Sequence, residues 1–289
     1  MHTITANFKT LKKVNSLPFL DDLIQLINQY KDEFVIEGFT SDTSDNRKFR
    51  PLNSHNLSLA LNRSPILTIG GNNQNIFEMF ISQGDGTFLV DRYITSSITI
   101  DIASSYFFEN NQLSIRKKQI LLDYCMQLYC ITEPLCGYIH DRLDASAIGV
   151  ALGKHGVTNF FGIHSISIGH IKLPHAKCPI SGIYWGNYFG PDCVEFYGKH
   201  ILSSLKGIYN YKELRDGGVL FFTSDNPLTP DKEQTRTNQL EIWKQLKITP
   251  LPKIPIIKKY KKTILKQKTH YLERLLQFFK DSDQGIGGR

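Results

Sequence analysis

Hydrophobic and polar positions repeat at helical spacing in two long segments of this 289-residue chain. Residues 17–34 place apolar side chains three and four positions apart, which predicts a first amphipathic helix carrying Leu20, Leu23, Ile24 and Ile27. A second stripe begins after Ser114, a typical helix-capping residue, and ends before Pro134. The predicted apolar positions of this second helix are Ile115, Leu122, Cys125, Met126 and Tyr129.

Alternating patterns predict strands between these two helices. Residues 96–104, SSITIDIAS, alternate isoleucines with Thr99 and Asp101, as a strand with one wet face does. Residues 76–93 form two apolar runs around Gly84–Gly86, which is a hairpin signal. Together these segments predict an antiparallel meander, and residues 136–141, CGYIHD, predict a further strand after the second helix.

The C-terminal half combines strand and helix signals. In residues 184–205, YWGNYFGPDCVEFYGKHILSSL, Pro191 suits a first helical position, and we expect one helix from there until Gly207 stops it. Residues 217–225, GGVLFFTSD, are apolar on both faces and predict a central strand. Asp231 and Gln234 resemble a capping box and open a third predicted helix.

These elements predict an α+β fold, in which antiparallel meander sheets are packed by three long amphipathic helices. Residues 1–252 are expected to form one domain, because prolines at 250, 252 and 255 interrupt the chain after it. Residues 253–289 are predicted to form a basic amphipathic helix followed by a flexible tail. Residues 145–182 show weak periodicity and are interpreted as short strands and loops.

Basic charge is concentrated in residues 253–281. This segment has nine basic and two acidic side chains, so it carries the whole formal net charge of +7 and the rest is neutral. Docking of its apolar face on the body is favoured, because most amphipathic helices serve packing. The alternative is contact with nucleic acid or an anionic membrane, through Lys258, Lys259, Lys261, Lys262, Lys266 and Lys268.

Composition is that of an ordinary globular protein, with 41% hydrophobic and 21% charged residues. The first residues lack the pattern of a signal peptide, and no run reaches the length of a membrane span. We therefore expect a cytoplasmic location. The five cysteines are odd in number and lie mostly in apolar surroundings, which favours reduced, packed thiols over a disulfide framework.

Catalytic signatures are absent from the sequence, which contains none of the common nucleophile, phosphate-loop, zinc-helix or dinucleotide motifs. A histidine-rich span could supply zinc ligands, although its spacings match no standard zinc motif. Its members are His155, His164, His170, His175 and Cys178. A thiol nucleophile or a carboxylate pair at Asp141 and Asp144 would need neighbours that a sequence does not reveal. The sequence therefore predicts no enzyme, no metal and no cofactor.

The order of several short segments resembles a known family. These segments are residues 36–52, 128–141, 180–200, 215–227 and 239–251, the third containing IYWGNYFGPD and the fourth RDGGVLFF. They resemble the bacterial polymorphic-toxin immunity proteins of family fifty-two and their type VI secretion immunity relatives. The resemblance covers roughly residues 1–252.

The resemblance implies a non-enzymatic α+β protein that stays in the cytosol and silences a cognate secreted toxin, often a nuclease-like one. Five positions match the family pattern and are expected to define the fold: Trp185, Asn187, Tyr188, Gly217 and Gly218. Acidic loop candidates for steering a toxin are residues 40–46 and 224–234, which also suit ordinary turns. Two other hypotheses stay open: an accessory protein that uses residues 253–281, and an enzyme centred on the histidine-rich span.

Overall fold

A nine-stranded antiparallel sheet organises the part of the chain that the computed structural model describes, residues 3–41, 48–64, 66–71, 77–83, 96–109, 112–141, 180, 183–227 and 232–246. All of these residues belong to one compact unit, Met1–Ile248. The strands of the large sheet are β1 (Thr3–Thr10), β2 (Gly38–Thr40), β3 (Ile66–Gly70), β4 (Phe77–Ser82), β5 (Ser96–Ala103), β8 (Cys136–Asp141), β9 (Gly186–Phe189), β10 (Asn210–Glu213) and β11 (Val219–Phe222). Two short strands, β6 (Phe108–Glu109) and β7 (Gln112–Leu113), pair separately.

The described helices are α1 (Leu17–Gln29), α2 (Ser54–Leu61), α3 (Ile115–Thr132), α4 (Pro191–Tyr197), α5 (Lys199–Ser203) and α6 (Lys232–Gln245), with a 3-10 turn at Ser104–Phe107. Side-chain caps begin two of them. Asn53 accepts from the Asn56 backbone N–H at 2.8 Å at the start of α2, and Ser114 accepts from that of Lys117 at 3.4 Å at the start of α3. Helix α3 ends at Glu133, which adopts a left-handed conformation.

Strand β1 lies at the centre of the sheet, whose order is β10-β11-β9-β8-β1-β5-β4-β3-β2. It pairs with β5 on one side and β8 on the other, so that Phe8 lies opposite Ile98 and Gly137. Because side chains alternate along a strand, Ile4, Ala6 and Phe8 share one face. The predicted α+β class with an antiparallel sheet is confirmed.

The sheet separates two hydrophobic cores. On β9 and β11, the opposed pair Tyr188 and Leu220 belongs to the first core, whereas the next pair, Phe189 and Val219, belongs to the second. Alternation therefore places the cores on opposite faces. Helices α1, α2 and α3 cover the first core, and α4, α5 and α6 contribute side chains to the second. The result is a three-layer arrangement at this end of the sheet.

The second face is polar at the centre of the sheet. Thr5 donates to the Asp101 carboxylate at 2.5 Å, and Asn7 donates to the Thr99 hydroxyl at 2.6 Å. Lys9 follows on the same face of β1. In β5 the isoleucines therefore face the first core, and Thr99 and Asp101 face the polar side of the sheet, which agrees with the alternation seen in the sequence.

Two local predictions differ from the structure, and a third is not tested by it. The helix expected from Pro191 to Gly207 is broken at Gly198, whose φ of +86° is outside helical geometry, and Ile201 on the second half is exposed. Ile115 is also exposed, whereas Cys125 and Tyr129 of the predicted stripe are buried, together with Leu121 and Leu128. Strand β4 pairs directly with β5, and the predicted hairpin turn at Gly84–Gly86 lies outside the described residues.

None of the described helices combines the length and the apolarity that a bilayer crossing requires. The predicted helix and tail at residues 253–289, the loops at residues 145–179 and Asp231 of the capping box lie outside the described residues.

Candidate interaction surface

Trp185 is buried rather than displayed on the surface. Only 3% of its area is exposed. Its indole Nε1 donates to the backbone oxygen of Ser224 at 2.9 Å, and its ring centroid lies 4.8 Å from that of Phe222. An indole held by both a hydrogen bond and a ring contact leaves no surface for a partner.

Tyr188 is fully buried in the first core, as expected. Its ring centroid lies 5.1 Å from that of Phe8 and 5.5 Å from that of Tyr129. Burial raises the pKa of Tyr188 well above its usual value, because the phenolate would lose its hydration. The side chain therefore packs as a neutral aromatic ring.

Asn187 holds the chain in place at the start of β9. It is 1% exposed, and its Oδ1 accepts from the backbone N–H of Tyr184 at 2.9 Å while its Nδ2 donates to the Tyr184 oxygen at 2.8 Å. The hydroxyl of Thr223 donates to the same oxygen at 3.2 Å. Because buried backbone groups need partners, this amide substitutes for a strand neighbour at Tyr184.

Gly217 and Gly218 form the turn between β10 and β11, and each is required for a different reason. Gly217 has a φ of +90°, with open space around its Cα, so its constraint is conformational. A Cβ on Gly218 would lie 2.2 Å from the Tyr129 Oη and 2.8 Å from the Phe189 oxygen. Asp216 connects this turn to α3, since it accepts from Tyr129 at 2.7 Å and from the Gly218 N–H at 2.9 Å.

Several predicted site residues lie outside the described part of the chain. They are Lys258, Lys259, Lys261, Lys262, Lys266 and Lys268 of the basic segment, the histidine-rich span of His155, His164, His170, His175 and Cys178, and Asp144. Asp141 is buried at the end of β8. Within the described ranges, no three His, Cys, Asp or Glu side chains come together as a metal site would require.

The described cysteines differ in exposure. Cys125 and Cys136 are buried free thiols, and burial raises the pKa of each. Cys130 is free and exposed on α3. Cys193 is fully buried in α4, within the second core.

A surface groove runs between α1 and α3. It has a volume of about 300 Å³, with an apolar floor and a polar rim. Residues spaced three and four apart on each helix line it, because such positions share one helix face. The lining residues are Asp22, Gln25, Leu26 and Gln29 on α1, and Met126, Gln127, Cys130 and Ile131 on α3.

The lining of this α1–α3 groove is acidic and rich in amides. It includes one carboxylate, three carboxamides and no cation. Gln127 Nε2 donates to the Tyr30 hydroxyl at 2.8 Å, which orients its amide oxygen as an acceptor. Beside the groove, the Lys12 ammonium donates to the Ile131 oxygen at 2.9 Å and pairs with Glu133 at 2.9 Å. That cation is thus already engaged.

The α1–α3 groove was not predicted from the sequence. The helical spacing places Met126 in an apolar stripe, and the three glutamines carry no pattern that separates a groove rim from an ordinary exposed helix face. The groove exists because α1 packs against α3, a contact between segments about 100 residues apart. Only the tertiary structure brings its two walls together.

The edge strand β10 is a second accessible surface. It carries Lys212 and Glu213, both exposed, and Glu213 pairs with Lys199 of α5 at 2.7 Å. Charged side chains on an edge strand oppose strand addition by another chain. This edge is therefore a weaker candidate for partner binding than the α1–α3 groove.

Comparisons with known proteins relate the fold rather than the sequence. The sequence matches no family model, and no curated protein matches it. Among solved structures, the fold is similar to that of the Pseudomonas aeruginosa T6SS protein PA0821, with a TM-score of 0.57 and 11% sequence identity. The similarity covers 86% of this chain and 73% of that chain. The two proteins therefore share a fold.

Proposed function

We propose that this protein is an immunity protein that binds a cognate secreted bacterial toxin and neutralises it by steric occlusion. The observation that carries the proposal is the shared fold with a type VI secretion protein over 86% of the chain. The order of motifs in the sequence also resembles that of family fifty-two immunity proteins, although no family model matches the chain.

The architecture suits a protein that acts by binding. Occlusion needs a rigid surface that does not reorganise when the partner arrives, since ordering side chains on binding weakens affinity. The nine-stranded sheet and its two cores provide such a scaffold. In this proposal the protein itself performs no catalysis and acts in the cytoplasm, where the toxin, for example a nuclease-like enzyme, would otherwise attack its target.

Growth rescue tests the proposal in cells. An immunity function predicts that a neighbouring reading frame encodes the cognate toxin. This toxin is expressed in the cytoplasm, alone or with this protein. We expect growth arrest in the first case and growth in the second, because an occluded toxin cannot reach its substrate. Continued arrest in cells that contain the folded protein would contradict an immunity function.

A second candidate function is association with nucleic acid or with an anionic membrane surface as an accessory protein. The observation that favours it is the charge of residues 253–281, which equals the formal net charge of +7 of the whole chain. Removal of this segment discriminates the two functions, since only the second requires its cations.

A further inference from the structure

We infer that the α1–α3 groove is the docking site for an arginine side chain of the toxin. This inference rests on the proposed function for the identity of the partner. It goes beyond that function because it assigns a binding site on this protein and the chemistry of the group that enters it.

The floor of the groove suits the aliphatic part of a long side chain. Leu26 is 2% exposed beneath the groove, and Met126 and Ile131 are partly buried against the first core. The volume of 300 Å³ lies at the lower end of the range of about 300–1,000 Å³ typical of small-molecule sites. A flexible methionine in the floor can adapt to the group that enters.

The rim of the groove offers hydrogen-bond acceptors. Asp22 provides a carboxylate, and Gln25, Gln29 and Gln127 provide amide oxygens. Gln127 Nε2 donates one of its two N–H groups to Tyr30, and this contact fixes the position of the amide oxygen that would accept from a ligand. A guanidinium has five N–H donors in a plane and no acceptor, so several acceptors around one carboxylate match it.

Charge selects a cation over the other candidate occupants. An anion would meet Asp22 with no cation in the lining to offset the repulsion. A purely apolar group would cover the carboxylate without replacing its hydration, which is unfavourable. An arginine satisfies both parts of the groove, because its methylene chain is apolar and its charged end is a hydrogen-bond donor.

Two substitutions test the site without touching the core. Asp22→Lys reverses the charge of the rim, and Gln29→Lys adds a cation at an exposed position in the last turn of α1. Asp32→Lys is the matched control, since it makes the same charge change at an exposed residue that does not line the groove. Thermal unfolding of each variant shows that the fold is retained.

Affinity for the purified toxin is the first measurement. We expect Asp22→Lys and Gln29→Lys to weaken binding by about tenfold or more, the loss typical of one charge-assisted hydrogen bond, with Asp32→Lys unchanged. Equal binding of the toxin by wild type and both groove variants would overturn the inference while leaving the immunity function intact.

A second measurement does not need the toxin. N-acetyl-arginine amide is titrated into the protein carrying ¹³C-labelled methionine methyl groups, and N-acetyl-citrulline amide serves as the neutral analogue. The chain has three methionines, of which Met126 lines the groove and Met79 is buried in the first core. We expect a saturable shift of the Met126 signal with the arginine compound, a constant Met79 signal, and loss of the response in Asp22→Lys.

The outcomes of the two measurements separate the two proposals. Suppose that the Met126 signal shifts with the arginine compound but the wild-type protein does not bind the toxin. This result would support the arginine site and overturn both the immunity function and the toxin as the partner. The absence of a shift, or an equal shift with citrulline or in the Asp22→Lys variant, would overturn the arginine site whatever the toxin does.

Discussion

The ammonium group of Lys9 on β1 is buried at the sheet and makes no hydrogen bond with the described residues. The rest of the side chain is only partly buried. Burial lowers the pKa of Lys9 below its ordinary value. The native state thus binds this proton less tightly than the unfolded chain does.

Replacement of Lys9 by methionine is expected to stabilise the protein at pH 7 by about 1–3 kcal/mol, the cost of an unsatisfied buried polar group. The gain should shrink as pH rises from the lowered native pKa towards the ordinary lysine pKa, because the unfolded state binds more protons in that window and wild-type stability rises there. Urea unfolding at pH 7 and pH 10 measures both effects. Lys212→Met on the exposed edge strand is the control, and an equal gain in both variants would contradict the assignment to Lys9.

The two turn glycines allow a paired test at the same scale. Gly218→Ala is expected to reduce the free energy of unfolding by about 3 kcal/mol, since its Cβ would overlap the Tyr129 hydroxyl and the Phe189 oxygen. Gly217→Ala meets open space and costs only the backbone strain of a positive φ, about 1–2 kcal/mol. Urea unfolding compares them. A larger loss in the free energy of unfolding for Gly217→Ala than for Gly218→Ala would contradict the steric role of the Tyr129 contact at Gly218.

Among the elements, the two helices of the groove walls were predictable because their signals are local. The apolar spacing in α1 and the Ser114 cap of α3 lie within the segments that they define. The break at Gly198 was not predicted, because the apolar residues on both sides continue the helical spacing. A positive φ at one glycine ends α4, and neighbouring residues carry no pattern that reveals it.

The basic segment is the element whose removal discriminates the two candidate functions. We expect deletion of residues 253–289 to leave toxin binding unchanged, because the proposed docking site lies on α1 and α3. Any binding to a short DNA duplex or to anionic vesicles should be lost with the cations. Fluorescence anisotropy and vesicle sedimentation measure this.

A charge variant provides the control for that deletion. This variant is the full-length chain with six lysines of the basic segment replaced by glutamine, so that only the positive charge is lost. The replaced residues are Lys258, Lys259, Lys261, Lys262, Lys266 and Lys268. Loss of toxin binding in both the deletion and this variant, with the fold retained, would place the toxin interface on the basic segment instead of the groove.

At the scale of the whole molecule, the sheet order depends on contacts that a sequence pattern does not encode. The α+β class follows from the alternating and helical periods, but the central place of β1 requires pairing with β5 and β8, which lie about 90 and 130 residues away. The separation of the two cores follows from this order. The α1–α3 groove follows in turn, since α1 and α3 pack together on one face of the sheet.

The measurement that tests the central claim most directly is calorimetric titration of the purified protein into its purified cognate toxin, with toxin activity assayed across the same titration. An immunity protein that acts by occlusion predicts saturable binding and loss of toxin activity at the same stoichiometric point. Absence of binding, or binding that leaves the toxin fully active at saturation, would contradict it.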